Sequence, residues 1–203
     1  SPKTQGVVLK ITTDYEKAYA QIERTLEAPA DFKKFKLLVH QHQQLIYTVE
    51  FKGEEKLIQK AALPIDELPT GIVQFSLFTE DWKPVAERIV FVNNRLHEFN
   101  AKLSIPIIDL KKRGKNVIEI MVSDTASTNM SLSVTDASIV LPEKQSIYSD
   151  LLLSSDIKGK VHNPAYYFSS DADSVAAHLD LVMMTNGWRR FDWDKLIKGE
   201  LPK

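Results

Sequence analysis

His40 and His42 stand two apart in LVHQHQQ, so on a strand their imidazoles leave the same face. Two imidazoles on one face can begin a zinc site. No third His, Cys or carboxylate lies nearby in sequence, and the pair reads first as part of a solvated turn. Asp171 and Asp173 in SSDADS resemble half of a calcium loop, but the Gly and Glu that complete such a loop are missing. Carboxylates beside the positive end of a helix are the simpler reading. Lys111, Lys112, Arg113 and Lys115 surround Gly114. Four cations at a turn could meet a phosphate or a lipid; a solvated loop tip is the default. No G-x-S-x-G elbow and no H-E-x-x-H motif is present, and nothing in the spacing of His, Ser and Asp argues for a triad.

The aromatic residues are a denser signal. Tyr166, Tyr167, Phe168, Trp188, Phe191 and Trp193 crowd one stretch, with Arg189 and Arg190 among them, able to stack on the indoles. Trp, Tyr and Arg dominate interface hot spots, so a partner-binding surface is one reading. The other is structural: the rings plug an open sheet.

Composition limits the chemistry further. There is no cysteine, which removes thiol nucleophiles, disulfides, thiolate zinc sites and thioesters. Net charge is −1, so the chain as a whole gives no electrostatic case for nucleic acid or an anionic membrane. No apolar run reaches the ~20 residues that span a bilayer. With 203 residues, 43% of them hydrophobic, a core can form without a staple. The opening SPKTQG has no signal-peptide character and, with the abrupt tail KGELPK, is expected to mark an excised or mature segment of a longer protein.

The elements that must position these residues are mostly strands. Period-two alternation runs through Val7 to Thr12, Ala18 to Glu23, Phe35 to Val39, Leu45 to Phe51, Lys56 to Leu63, Val73 to Leu77, and around Ile89 and Phe91. Seven short strands at this spacing predict an immunoglobulin-like sandwich. Gln41 to Gln44 and TEDWKP (Thr79 to Pro84) read as turns, and IDEL between Pro64 and Pro69 as a crossover. Three further strands are expected over Glu98 to Ile105, Val117 to Val122 and Met130 to Val134. Such a small sheet needs a cover. The helical C-terminal region is the available one: Gln145 to Ser154, then a helix with Ser170 or Asp171 as N-cap and Val175, Leu179 and Val182 on one face. In LLLSSDIKGKVHNPAYYF, the residue before Pro164 is expected to be extended.

Five blocks occur in order: LPTGIVQFSLF (Leu68 to Phe78), KPVAERIVFV (Lys83 to Val92), SLSVTDASIV (Ser131 to Val140), LLLSSDIKGKVHNPAYYF (Leu151 to Phe168) and LDLVMMTNGWRRFDW (Leu179 to Trp193). This series resembles a family of large Gram-negative envelope proteins built from alpha-2-macroglobulin-like domains. The resemblance implies a complete macroglobulin-type domain over Val7 to Val92 and the first strands of the next over Glu98 to Val140. It implies neighbouring carboxypeptidase-regulatory-like and TonB-dependent-receptor plug domains. Without Cys there is no thioester, and protease trapping is not implied. Two positions depart from the pattern: Trp82 stands where the family tends to have Gly, and Asn186 where Gln is expected.

The expectation is therefore a mainly β chain: a macroglobulin-type sandwich over 1–93, then over 94–203 a three-stranded partial sandwich covered by C-terminal helices. No cofactor or metal site is expected. The expected role is that of a non-enzymatic structural or interaction module of an outer-membrane, receptor-like protein. Its partners would be neighbouring domains of the same polypeptide, or an envelope protein, peptide or glycan. Candidate contact residues are Trp82, Tyr166, Tyr167, Trp188, Arg189, Arg190 and Trp193. A surface adhesin is the alternative, and a hydrolase using Asp and His the weaker one.

Overall fold

Each of the seven alternating runs forms a strand. A computed structural model of the chain describes residues 5–53, 55–99, 101–122, 129–136, 138, 145–186 and 191–200. β1 (Val7–Thr13), β2 (Lys17–Arg24) and β5 (Ile58–Pro64) form one antiparallel sheet in the order β1-β2-β5. β3 (Phe35–Gln41), β4 (Gln44–Phe51), β6 (Gly71–Thr79) and β7 (Pro84–Val92) form the other, in the order β4-β3-β6-β7. The two sheets close on a shared core that includes Ile11, Ala20, Ile22, Leu37, Val39, Val73, Phe75 and Leu77. These are the inward members of each alternation, and each large one contributes roughly 1.5–3 kcal/mol on burial. The chain is mainly β, a sandwich followed by C-terminal helices.

Two turns show how the hairpins are held. His42 and Gln43 both take positive φ, 49° and 66°, between the paired residues Gln41 and Gln44. That is the two-residue turn whose twist matches a hairpin. Trp82, at φ 62°, closes the β6–β7 hairpin in the conformation that glycine adopts most readily. Its ring is held by Phe78, centroids 5.7 Å apart, and by the Lys36 ammonium 4.4 Å above it. That packing offsets the strain of a non-glycine residue in this conformation.

β6 is buried along its whole length, on both faces. Its outward residues are Ile72, Gln74, Ser76 and Phe78, beside Glu87, Ile89 and Phe91 of β7. The C-terminal segment covers this face. α1 (Ile147–Ser149) begins in a capping box between Ser146 and Ser149 and continues as a π-helical turn, Asp150–Ser154. α2 spans Asp173–Thr185 and α3 spans Trp193–Ile197. Leu153, Ile157, Val161, Leu179 and Met183 form a second core with Ile72 and Ile89.

The helices therefore cover the four-stranded sheet of the sandwich. Residues Ser1–Leu96 and Glu143–Lys203 make one compact unit, and His97–Pro142 the other. The physical reason is that Ile72, Phe78, Ile89 and Phe91 form an apolar surface that water would otherwise face.

In the second unit, β8 (Ala101–Ile107) pairs antiparallel with β9 (Val117–Val122). Met130 to Val134, expected as a third strand, has no strand assignment, and Met130, Leu132 and Val134 are exposed. Its Ser/Thr alternation suits a strand, yet among the described residues no ladder receives it.

Two local expectations also change. Asn163 adopts a left-handed conformation, φ 46° and ψ 60°, where an extended residue was expected. Asn tolerates this region, and Pro164 then opens a 3-10 turn, Pro164–Phe168. The N-cap of α2 is Ala172, without a side-chain cap, and not Ser170 or Asp171.

Candidate functional site

The aromatic residues singled out by the sequence separate into two places. Trp193 lies edge-on to Phe78 with centroids 4.9 Å apart, and Phe191 and His40 sit beside it at 5.2 and 6.1 Å. The Trp193 indole N–H donates to Glu87 Oε1, which also accepts from Gln74 Nε2 at 3.2 Å. Trp82 joins this cluster through Phe78. Both tryptophans thus help seal the outer face of the four-stranded sheet.

Tyr166 and Tyr167 lie elsewhere, under α2. The Tyr166 hydroxyl shares a hydrogen bond of 2.8 Å with His178 Nδ1, and Phe168 packs edge-on against Phe91 at 5.7 Å. Trp188, Arg189 and Arg190 lie outside the described residues.

The candidate metal residues have other occupations. His40 is buried against Phe191 and Trp193, and His42 is in the turn. They line a cavity of about 20 Å³, with Gln41, Gln74 and Asp156, large enough for one water. Asp171 pairs with Arg95, whose Nε donates to Oδ1 at 3.1 Å. Asp173 is the first residue of α2. Among the described residues no group of three or more His, Asp or Glu could hold a metal ion.

The best-formed site was not anticipated. β1 and β7 are the end strands of their two sheets and neighbour one another at the seam of the sandwich. A cleft of about 490 Å³ opens there, walled by Ile11 to Tyr15 of β1 and its turn, Val90 to Asn94 of β7 and its exit, and Ser170 to Ala177 at the start of α2. Ile65, Val92, Val175 and Leu179 contribute its apolar floor, and Tyr167 one side. Of the four candidate residues that are described, Tyr167 alone lines it.

Its charge is one-sided. Asp14, Asp171, Asp173 and Asp180 line the cleft, and among the described residues no Lys or Arg does. Two of the carboxylates are anchored from outside: Asp171 by Arg95 and Asp180 by Arg88, whose side chain is 14% exposed. With Asp171 and Asp180 paired to arginines, Asp14 and Asp173 are the carboxylates that outweigh the partial positive charge of the helix N-terminus.

Asp14 is held ionised by its turn. Its Oδ1 accepts from the backbone N–H of Lys17 at 2.6 Å and of Glu16 at 2.8 Å, and its Oδ2 from the Tyr19 hydroxyl at 2.9 Å. These donors hold its pKa below the ordinary carboxylate value, the Lys17 N–H most strongly. A depressed folded-state pKa stabilises the fold above the unfolded-state pKa. That contribution is lost as pH falls through the folded-state value. Tyr19, as donor to Asp14, is raised, so its contribution is present below its unfolded-state pKa and lost as pH rises through the folded one. Asp14→Asn is expected to move the Tyr19 titration down toward that of an ordinary phenol, followed by ring ¹³C shifts. An unmoved titration would contradict the pairing.

No family model matches the chain, and no curated protein matches it. Among solved structures, it is similar to a hypothetical protein from Pyrococcus horikoshii OT3 at 11% identity, covering 44% of this chain and 90% of that one. The TM-score is 0.28, and that likeness carries no argument about fold or function.

Proposed function

We propose that this chain is a non-enzymatic interaction module of a larger cell-envelope protein, receptor-like and associated with the outer membrane of a Gram-negative bacterium. In this reading the sandwich is a scaffold, and the seam cleft holds an extended, basic segment of a neighbouring domain or an envelope partner. The carrying observation is the cleft itself: an apolar floor, four carboxylates on its walls, no cation among its described lining residues, and two end strands alongside. The strand residues Ile11 to Thr13 span roughly 10 Å, room for about three residues of a partner chain, with Asp14 at the turn beyond them. End strands offer unpaired backbone groups that an added strand can use, and side chains entering the cleft supply selectivity. The envelope setting rests on the family resemblance of the five blocks.

The glycan-binding alternative would draw on exposed ring faces. Trp82 has Lys36 over its face and Phe78 against its edge, which favours the peptide reading over the glycan one.

The test compares two labelled pentapeptides of alternating sequence, Val-Lys-Val-Lys-Val and Val-Glu-Val-Glu-Val, by fluorescence anisotropy. The lysine peptide is expected to bind and the glutamate peptide not to. Reversing charge with Asp14→Lys and Asp173→Lys together should weaken binding more than about tenfold. Equal binding of both peptides, or of neither, would sink the cleft reading. The setting is tested separately by blotting fractionated cells of the native host: a much larger band in the outer-membrane fraction is expected, and a soluble band near 23 kDa would overturn it.

A further inference from the structure

We propose that the tip of the β8–β9 hairpin is a membrane-contact loop that seats on the surface of an anionic phospholipid bilayer. This inference goes beyond the proposed function and does not depend on the cleft.

Beyond the last ladder pair, Ile107 with Val117, the chain turns through Ile108 to Asn116. This turn carries four cations, Lys111, Lys112, Arg113 and Lys115, all exposed, against one carboxylate, Asp109. The same tip holds three exposed aliphatic residues: Ile107 at 46%, Ile108 at 62% and Leu110 at 95%. A solvated loop tip accounts for the cations. It does not account for three aliphatic side chains placed among them, with Leu110 almost wholly in water.

The tip is preformed. Asn116 Oδ1 accepts from Asp109 N–H at 2.9 Å, Asp109 Oδ1 accepts from Lys111 N–H at 2.9 Å, and Lys111 C=O accepts from Gly114 N–H at 2.8 Å. Gly114 allows the close return of the chain, because a Cβ there would lie 2.5 Å from the Asp109 carbonyl oxygen. Asp109 is therefore committed to the turn, which leaves the four cations to face outward.

An apolar point ringed by cations matches the bilayer boundary, where acyl chains lie under anionic headgroups. The net charge of −1 does not oppose this, since the Debye length at physiological salt is about 8 Å and the surface feels the local patch. The cations alone would also meet nucleic-acid phosphates; the exposed Ile108 and Leu110 beside them are what favour a bilayer, with its apolar layer under the headgroups.

The experiment is sedimentation of the whole chain with vesicles of phosphatidylcholine alone or mixed with phosphatidylglycerol. Binding is expected only to the mixed vesicles, and is expected to weaken as salt rises. Each Lys or Arg near an anionic leaflet favours binding by about fivefold, so Lys111→Glu with Lys112→Glu should cost at least about 25-fold. Leu110→Asp should also weaken binding, and Leu110→Trp should show a blue-shifted emission on the mixed vesicles. These residues are exposed, so unchanged circular dichroism serves as the folding check. Failure to bind the mixed vesicles at low salt overturns the proposal. So does binding that survives Leu110→Asp undiminished, which would indicate a purely ionic contact with an acidic protein or polyanion. Displacement by inorganic phosphate at millimolar concentration would indicate a small-anion site and overturn it equally.

Discussion

Leu153→Ala is expected to lower the unfolding free energy by ~2–5 kcal/mol, the cost of emptying a fully enclosed leucine site. Leu153 has no solvent exposure and packs in the core that joins the C-terminal segment to Ile72 and Ile89. Its neighbour Leu151 is 63% exposed, so Leu151→Ala should change stability by less than about 0.5 kcal/mol. The pair makes an internal control, since both remove the same atoms from the same helical turn. Urea unfolding followed by tryptophan emission and far-ultraviolet dichroism reads both. If the two variants unfold alike, the segment is not part of the sandwich unit and the second core is misplaced. If Leu153→Ala alone shifts the midpoint, the leucine run is the clamp that fixes the C-terminal helices to the sheet.

Trp193→Ala should cost about 3 kcal/mol, at the low end for tryptophan because the residue is only partly buried. Two contributions are lost together: ring packing against Phe78 and Phe191, and the indole N–H donated to Glu87. Trp193→Phe separates them, keeping much of the packing while removing the donor. It should cost roughly 1–2 kcal/mol, since hydrogen bonds to charged groups contribute more than neutral ones. In the Glu87→Gln background the Phe substitution should cost less, because the charge it served is gone. A Trp193→Ala protein that melts unchanged would mean that the indole does not seal the sheet, and would return Trp193 to the candidate contact surface.

The sandwich was legible because apolar residues recur with period two in each of its seven runs, from Val7 to Phe91. The cover of its outer face was not. Gln74 and Ser76 lie on that face and signal solvent, and they hide the message of Ile72, Phe78, Ile89 and Phe91 on either side. The buried polar pair is tolerated because Glu87 Oε1 accepts from both the Gln74 amide and the Ser76 hydroxyl. A strand apolar at both ends of its polar face was the available clue. Met130 to Val134 shows the opposite failure, since alternation makes a strand only when a neighbouring ladder accepts it. The cleft was invisible for a third reason. Its walls come from three stretches far apart in sequence, and its four aspartates are assembled only by the docking of α2 against β7. Asp171 and Asp173 were noticed as a local motif, whereas Asp180 lies about two turns further along α2 and Asp14 sits in the turn between β1 and β2.

Binding of a basic extended segment in the seam cleft would be seen by following backbone amide resonances while the Val-Lys-Val-Lys-Val peptide is added. Shifts are expected only at Ile11 to Tyr15, Val90 to Asn94 and Asp173 to Ala177, and none in the Asp14→Lys, Asp173→Lys protein. Shifts centred instead on the Trp82 and Trp193 cluster, or spread evenly over exposed carboxylates, would contradict it.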